Sequence, residues 1–320
     1  MGAAPKGRAT AGVATAGAAT GAATAGGDSL AGFFFALGAY GLWGILPVYM
    51  KALAHVSPAE VIAHRVIWSV PLAGLVLLML GRTADLRAAI RSPRMVLMAA
   101  ATAALISVNW GIYVWAIGSG HALDAALGYY INPLFSVLLG AVLLGERLAP
   151  MQWLAIGLAA AAVLMLTWDA GRLPLVALGL TLTWGAYAYL KKSLPIGPNQ
   201  GFMLEVLLLS PAALGYLLWL GATGQGHFLQ GVGRDDALLL GCGLVTAIPL
   251  MLYANGAKRL RLSTIAIMQY LAPTMIFLTA VFLFEEPFGR ARAIAFPMIW
   301  AALVLYTAAM IRRPARRPAG

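Results

Sequence analysis

Long apolar stretches alternate with short polar gaps along almost the whole chain. A helix needs ~20 predominantly apolar residues to cross the ~30 Å hydrocarbon core of a membrane. Ten stretches approach that length, at residues 30–50, 58–80, 95–118, 122–144, 150–168, 173–191, 201–220, 237–257, 262–284 and 291–311. The pattern therefore predicts an all-α polytopic membrane protein with ten transmembrane helices. The gap at 81–94, with four arginines, predicts an interfacial amphipathic turn of helix.

The first half of this pattern recurs about 140 residues later. At an offset of 140 the matching pairs are Tyr130 and Tyr270, Pro133 and Pro273, Leu143 and Leu283, and Glu146 and Glu286. At an offset of 141 they include Trp43 and Trp184, Lys51 and Lys192, and Ser69 and Ser210. Two Ala/Leu-rich stretches that match by composition alone would not also align Trp, Pro, Lys and Glu. Because each half holds five helices, the second must enter the membrane from the opposite face, which predicts two inverted repeats at 29–168 and 169–312.

Composition and charge place the chain in its membrane. Hydrophobic residues make up 61% of the chain and charged residues 10%, whereas soluble domains are about 25% charged. With a cytoplasmic N-terminus, one side of the membrane collects 16 Lys and Arg residues and the other 5. This bias predicts that both termini lie in the cytoplasm. Residues 1–28, nearly all Ala, Gly and Thr, are predicted to be a disordered cytoplasmic tail, and 313–320 a basic one.

Three ionisable residues are predicted inside the membrane: His64 and Arg65 on the second helix and Glu205 on the seventh. Each costs at least ~2.5–3.5 kcal/mol at the centre of a helix, so it needs a partner or a wet cavity. Arg65 lies roughly 11 Å inside its helix, where it could hold an anionic substrate group or snorkel outward. The 141 offset assigns Glu205 to the position of His64, but near the opposite side of the membrane. Glu205 could therefore carry a proton, or a neighbouring helix could satisfy it. Glu60 looks structural, because Ser57-Pro58-Ala59-Glu60 is a capping box.

Further polar side chains are predicted to line one site between the halves, on the third, fourth, eighth and ninth helices. They are Asn109, Tyr113, Tyr130, Asn132, Tyr253, Gln269 and Tyr270. Two prolines in mid-helix, Pro133 and Pro273, would free the carbonyls of Tyr129 and Gln269 for water or substrate. The alternative is that both prolines only kink their helices.

No motif of enzyme chemistry, nucleotide binding or metal ligation occurs in the chain, which predicts no enzyme, no cofactor and no metal site. The basic residues lie in short gaps, so nucleic acid is not expected as a partner. The single cysteine, Cys242, lies in an apolar run and reads as a packing residue. The expected partners are a small-molecule substrate and the lipid bilayer. Small-residue faces such as Gly157 with Ala161 fit packing within the chain as well as a homodimer.

The motifs that carry a family resemblance are Trp43-Gly44, Ala63-His64-Arg65, Asn109-Trp110 with Tyr113, the run from Gly128 to Pro133, and Gln269-Tyr270 with Pro273-Thr274. Over about residues 30–312 the chain resembles the EamA family of the drug/metabolite transporter superfamily, and within it the RarD group. The resemblance implies ten helices and permease or exporter activity in the inner membrane. The expected function is a secondary transporter of a small organic metabolite or drug-like solute, by alternating access and with possible proton coupling. A membrane scaffold or sensor without transport is the alternative, and it would need every buried polar group to be paired.

Overall fold

The computed structural model describes residues 29–144, 148–257, 259–260 and 262–311. The predicted tails at 1–28 and 313–320 lie outside these ranges, and so does Glu146, the repeat partner of Glu286. Every regular element in the described part of the chain is helical. The helices are α1 (Leu30–Ala52), α2 (Pro58–Met79), α3 (Thr83–Ile90), α4 (Pro93–Gly118), α5 (Ala122–Leu144), α6 (Pro150–Ala170), α7 (Leu175–Ser193), α8 (Pro198–Thr223), α9 (Gly233–Ala257), α10 (Leu262–Met268), α11 (Leu271–Leu278) and α12 (Arg290–Ile311).

Seven of these helices are long and apolar enough to cross a membrane. They are α1, α2, α4, α6, α8, α9 and α12. A shorter apolar helix, Leu271–Leu283, consists of α11 and the π-helical turn Thr279–Leu283 that follows it. The protein is therefore an all-helical, multi-pass membrane protein. The arginine-rich gap contains the short helix α3, as predicted.

Proline and glycine set many of the helix ends. Proline is the first residue of α2, α4 and α6, where its missing N–H needs no partner. Gly171 and Gly224 end α6 and α8 in the left-handed conformation that glycine adopts without strain.

The predicted ninth helix is broken. Gln269 and Tyr270 form a turn between α10 and α11. Pro273 consequently lies in the first turn of α11 and does not kink a continuous helix. Pro133, in contrast, lies inside α5 as predicted. A proline in the first helical turn loses no hydrogen bond, which is why the chain can restart its helix just before Pro273.

Each long helix packs against one or more others. The pairs that pack most extensively are α6 with α12, α1 with α9, α2 with α8, α2 with α9, α5 with α7, α4 with α7, α1 with α11, α5 with α11, and α4 with α8. The largest buried cluster of apolar side chains draws on α1, α2, α4, α5, α6, α7, α9, α11 and α12. A second cluster lies mainly between α2, α4 and α8.

Gly243 marks the closest approach of α2 to α9. A Cβ atom added there would lie 2.3 Å from the Trp68 carbonyl oxygen and 2.5 Å from its carbon. Because these are backbone atoms, the helices would have to separate, so Gly243→Ala should destabilise the protein by about 1–3 kcal/mol, as overpacking does. Thermal unfolding in detergent measures the effect. Gly157→Ala is the matched control, since a Cβ at Gly157 meets nothing within 4 Å. An equal loss of stability in both variants would contradict the assignment.

Glu286 holds the start of α5. Its carboxylate oxygens accept the backbone N–H groups of Ala122 at 2.6 Å and Leu123 at 2.9 Å. These N–H groups belong to the first turn of the helix, where they have no partner inside it and favour a negative charge. Beside them, Arg292 Nη2 donates to Asp124 Oδ1 at 3.0 Å. The sequence repeat matched Glu286 to Glu146 and gave no sign of this capping role.

Glu286→Gln should therefore lower the free energy of unfolding by about 1–3 kcal/mol, because an amide cannot accept both bonds and carries no charge. The melting temperature of the purified protein is the measurement. Glu285→Gln is the control, since Glu285 is exposed on the same connection. Equal melting temperatures for Glu286→Gln and the wild type would rule out the capping role.

Candidate functional site

Arg65 is buried where α2, α4 and α9 meet. Its side chain is 4% exposed. Nε donates to Thr246 Oγ1 on α9 at 3.0 Å, and the guanidinium lies 4.4 Å from the ring centroid of Trp110 on α4. Nη1 has no hydrogen-bond partner among the described residues. No ion pair in the described ranges includes Arg65. This guanidinium is therefore a buried cation whose observed contacts are a hydroxyl and an aromatic face.

Two tyrosines lie near the guanidinium. Tyr113, one turn after Trp110 on α4, and Tyr129 on α5 both lie close enough to interact electrostatically with Arg65. Their rings are 5.9 Å apart. The Tyr113 hydroxyl is buried and, within the described part of the chain, has no hydrogen-bond partner. A cation and an unpaired hydroxyl near one another form a suitable site for a polar, negatively charged group.

Asn109 joins α4 to α7. Its Nδ2 donates to the Leu180 carbonyl at 3.1 Å and to Thr183 Oγ1 at 2.8 Å. Its Oδ1 is buried without a partner in the described residues. The Nδ2 of the amide thus stabilises the packing of α4 on α7, whereas Oδ1 can accept a hydrogen bond from a bound solute.

Glu205 is a buried carboxylate with a complete set of donors. It accepts Lys191 Nζ at 2.6 Å, Thr102 Oγ1 at 2.7 Å and the Tyr187 hydroxyl at 3.3 Å. Its side chain is 2% exposed and that of Lys191 is 21% exposed. The sequence left open whether Glu205 carries a proton or is satisfied by a neighbouring helix, and the structure supplies donors to it from α4 and α7. Lys191, the last residue of the predicted helix at 173–191, lies in α7 and was not recognised from the sequence as a partner of Glu205.

Arg65 and Glu205 occupy equivalent places on their helices. α2 begins at Pro58 and α8 at Pro198, and each charged residue follows seven residues later. Arg65 binds Thr246 of α9, and Glu205 binds Thr102 of α4. Counted from the helix starts, Glu205 thus corresponds to Arg65, one residue away from the match to His64 that the 141 offset gave.

His64 faces a different environment from its neighbour Arg65. Its Nδ1 accepts the Trp68 indole N–H at 3.0 Å, and its ring packs on Phe228 at 4.9 Å. Phe228 belongs to the connection between α8 and α9. His64 is therefore part of that contact and is not assigned to the Arg65 site.

The remaining predicted residues fall into separate groups. The Tyr130 hydroxyl lies 2.7 Å from Thr274 Oγ1, between α5 and α11. Tyr253 packs its ring against Tyr40 and Trp43 of α1, at 5.9 and 5.7 Å. Asn132 lies on α5, and its Oδ1 is buried without a hydrogen-bond partner among the described residues. Gln269 and Tyr270 lie in the break before α11. The observed contacts thus do not join the predicted set into one cluster.

A row of aromatic rings connects the Arg65 and Glu205 groups. Tyr129 lies 6.5 Å from Trp184 of α7, and Trp184 lies 5.7 Å from Tyr187, whose hydroxyl binds Glu205. Sequence reasoning named Tyr129 only for its carbonyl and did not select Trp184 or Tyr187 as site residues. The match of Trp43 to Trp184 in the repeat was the available signal for one of them.

Comparison with known proteins gives consistent results. The sequence pattern of the EamA-like transporter family matches residues 30–168. The chain is 43% identical to "Protein RarD" of Streptomyces exfoliatus over 277 residues, which cover 86% of this chain and 88% of that protein. It is 40% identical to an uncharacterized transporter of Vibrio cholerae over 280 residues, 88% of this chain and 93% of that protein. One solved crystal structure, 22% identical, superposes with a TM-score of 0.57 over 88% of this chain and 98% of its own length, which supports the fold alone.

Proposed function

Because the chain belongs to the EamA-like transporter family, within its RarD group, we propose that it is a secondary-active transporter of a small organic solute with an anionic group. It works by alternating access in the inner membrane of a bacterium. The single observation that supports an anionic group on the solute is the state of Arg65. This residue is a buried cation with an unpaired nitrogen and no ionic partner in the described residues. The name of the Vibrio cholerae relative says only "uncharacterized transporter", and the anionic class is inferred from this chain's own geometry.

The electrostatics of Arg65 favour a substrate role over a structural one. A buried charge that lacks a partner destabilises a fold, and such groups are retained in membranes at functional positions. A carboxylate or phosphate on the solute would supply the missing charge and accept from Nη1. The Tyr113 hydroxyl and Asn109 Oδ1 add polar contacts nearby on α4, and Trp110 holds the guanidinium plane.

Helix pairing supports an inverted repeat of ten membrane crossings in which α10, α11 and the π-helical turn together make one crossing. In such a repeat α1 corresponds to α7 and α4 to α9, and indeed α1 packs on α9 while α4 packs on α7. The same exchange relates the pair α2–α9 to α8–α4, and the pair α5–α7 to α11–α1. This arrangement, with residues 29–168 and 169–312 as the two halves, suits a site at their interface. The excess of Lys and Arg supports cytoplasmic termini.

Glu205 is the proposed coupling group. At rest its charge is balanced by Lys191. If the solute or a conformational change draws Lys191 away, the stranded carboxylate would take up a proton, since a buried charge without a partner is costly. A proton could then move with, or against, the anion bound at Arg65.

Reconstituted vesicles test this proposal. Labelled monocarboxylates, dicarboxylates and organic phosphates would be screened for uptake with and without a pH gradient, and with Arg65→Gln protein as the control. Uptake of at least one class above the control, changed by the gradient, is the expected result. If no anionic solute enters faster than into vesicles with the variant, the proposal fails.

A scaffold or sensor without transport remains the competing function. It would require a closed bundle in which polar groups are paired, as Glu205 and Glu286 are. The unpaired Arg65 Nη1 and Tyr113 hydroxyl favour transport instead.

A further inference from the structure

The connection between α8 and α9, residues 224–232, lies against the start of α2. His227 contacts Glu60 twice: its backbone N–H donates to Oε1 at 2.7 Å, and its ring Nδ1 lies 2.9 Å from Oε2. Glu60 is 1% exposed, so its carboxylate is buried in this contact. The predicted capping box is only half formed: Ser57 Oγ accepts the Glu60 N–H, but the carboxylate turns to the loop.

A second pair of the same kind lies beside the first. His55, in the connection between α1 and α2, places Nε2 2.8 Å from Asp235 Oδ2 in the first turn of α9. The rings of His55 and His227 are 5.6 Å apart and edge to face. The first pair fastens the loop to the start of α2, and the second fastens the connection between α1 and α2 to the start of α9.

The loop also inserts an aromatic ring. Phe228 packs on His64 at 4.9 Å and on Trp68 at 5.9 Å, one and two turns after Glu60 on the same face of α2. The next residue, Leu229, has φ of 60°, a strained value for a branched side chain. Strain at this turn shows that surrounding contacts hold the loop in place.

We propose that residues 224–232 form the outer gate of the transport path, and that the pairs His227–Glu60 and His55–Asp235 are its latch. This inference rests on the proposed function, which makes α2 and α9 the walls of the Arg65 site. While the latch is closed, the outer ends of these helices stay together. When it opens, Phe228 leaves α2, α9 separates from α2, and Arg65 becomes reachable from the outer side. The closed and open latch would thus define two conformations of the same molecule, and the contacts of the loop would set the ratio of their populations.

The chain contains its own reporter of this opening. Cys242 is the single cysteine among 320 residues. It is buried at 0% exposure, one turn before Thr246 on α9, and it interacts electrostatically with Arg65. A membrane-impermeant thiol reagent added to right-side-out membrane vesicles can therefore modify it only when the outer side opens.

The test compares labelling rates of Cys242 in the full chain. The double variant His55→Ala/His227→Ala removes the latch from its more exposed partners, and Phe228→Ala removes the ring while leaving both pairs intact. The double variant should be labelled on the order of tenfold faster than the wild type, the effect expected when hydrogen bonds to a charged group are lost. Phe228→Ala should be labelled about threefold to tenfold faster, because it loses the ring contacts with His64 and Trp68. His121→Ala is the matched control, since His121 contacts Ser119 and Trp115 away from the latch.

Unchanged labelling in both latch variants overturns the proposal. So does an equal increase in His121→Ala, because that would indicate general loosening. If the double variant fails to reach the membrane, Phe228→Ala decides alone. The assay needs no solute, so a failure of the gate is separate from a failure of uptake: faster labelling with no uptake of any anion would support the gate and sink the substrate assignment.

Discussion

Replacing Arg65 with lysine should reduce uptake of the transported anion by about 10- to 100-fold. This factor corresponds to the ~1.5–3 kcal/mol that a hydrogen bond to a charged group contributes. Lysine keeps the charge but not the planar fork. It cannot bind Thr246, cover the Trp110 ring and donate to a solute at the same time, as the guanidinium can. The loss should appear as weaker apparent affinity as well as lower rate, because the contact is made to the bound solute. Initial uptake rates over a range of solute concentrations are the measurement.

Arg65→Gln separates a transport role from a structural one. The glutamine removes an uncompensated buried charge, so the variant should unfold at a temperature equal to or higher than the wild type while transport is lost. A structural arginine would give the reverse, with lower stability accompanying lower transport. Arg172→Lys, on an exposed gap between α6 and α7, is the control and should change neither quantity. If Arg65→Lys took up the anion at the wild-type rate, Arg65 would not be a binding residue of the transport path.

The membrane class and the positions of the seven long apolar helices followed from the sequence because apolar length is an average over many residues, whereas ten crossings in an inverted repeat stay a prediction. Arg65 was found in the same way, since one charge in a long apolar run stands out. Its partners were not, because Trp110 and Thr246 are ordinary residues until α2, α4 and α9 are packed together. The break before α11 was missed for a related reason. The sequence shows that residue 273 is a proline, but the packing of the neighbouring helices decides whether the helix bends there or ends and restarts.

Two carboxylates show the same limit more sharply. The capping motif assigned Glu60 to its own helix, and the structure gives it to His227, 167 residues away. Glu286 was read through its match to Glu146 as an exit charge, and it caps α5. Local motifs describe what a side chain can do nearby, whereas a buried carboxylate binds the strongest donors that the whole fold brings to it.

The pair Glu205–Lys191 should show the strongest coupling of stability in the protein. Glu205→Gln leaves an ammonium with 21% side-chain exposure beside an amide, and Lys191→Met leaves a carboxylate with 2% exposure without its cation. Breaking a buried pair from one side costs about 3–5 kcal/mol, so each single variant should lose that order of stability. The double variant Lys191→Met/Glu205→Gln removes both charges, and its loss should be smaller than that of either single variant, because replacing a whole buried pair by uncharged groups is often nearly neutral. Thermal unfolding of the four proteins gives this coupling.

Transport by the same four proteins tests whether Glu205 also carries a proton. The double variant should fold well and bind the anion through Arg65, yet its uptake should no longer respond to a pH gradient, because the group that exchanges charge with Lys191 is gone. Asp124→Asn provides the control: its pair with Arg292 is partly exposed, with side chains 20% and 26% accessible, so its loss should cost under about 1 kcal/mol and leave the gradient response intact. If the double variant keeps the full gradient response, Glu205 is a structural partner of Lys191 and the coupling proton moves elsewhere.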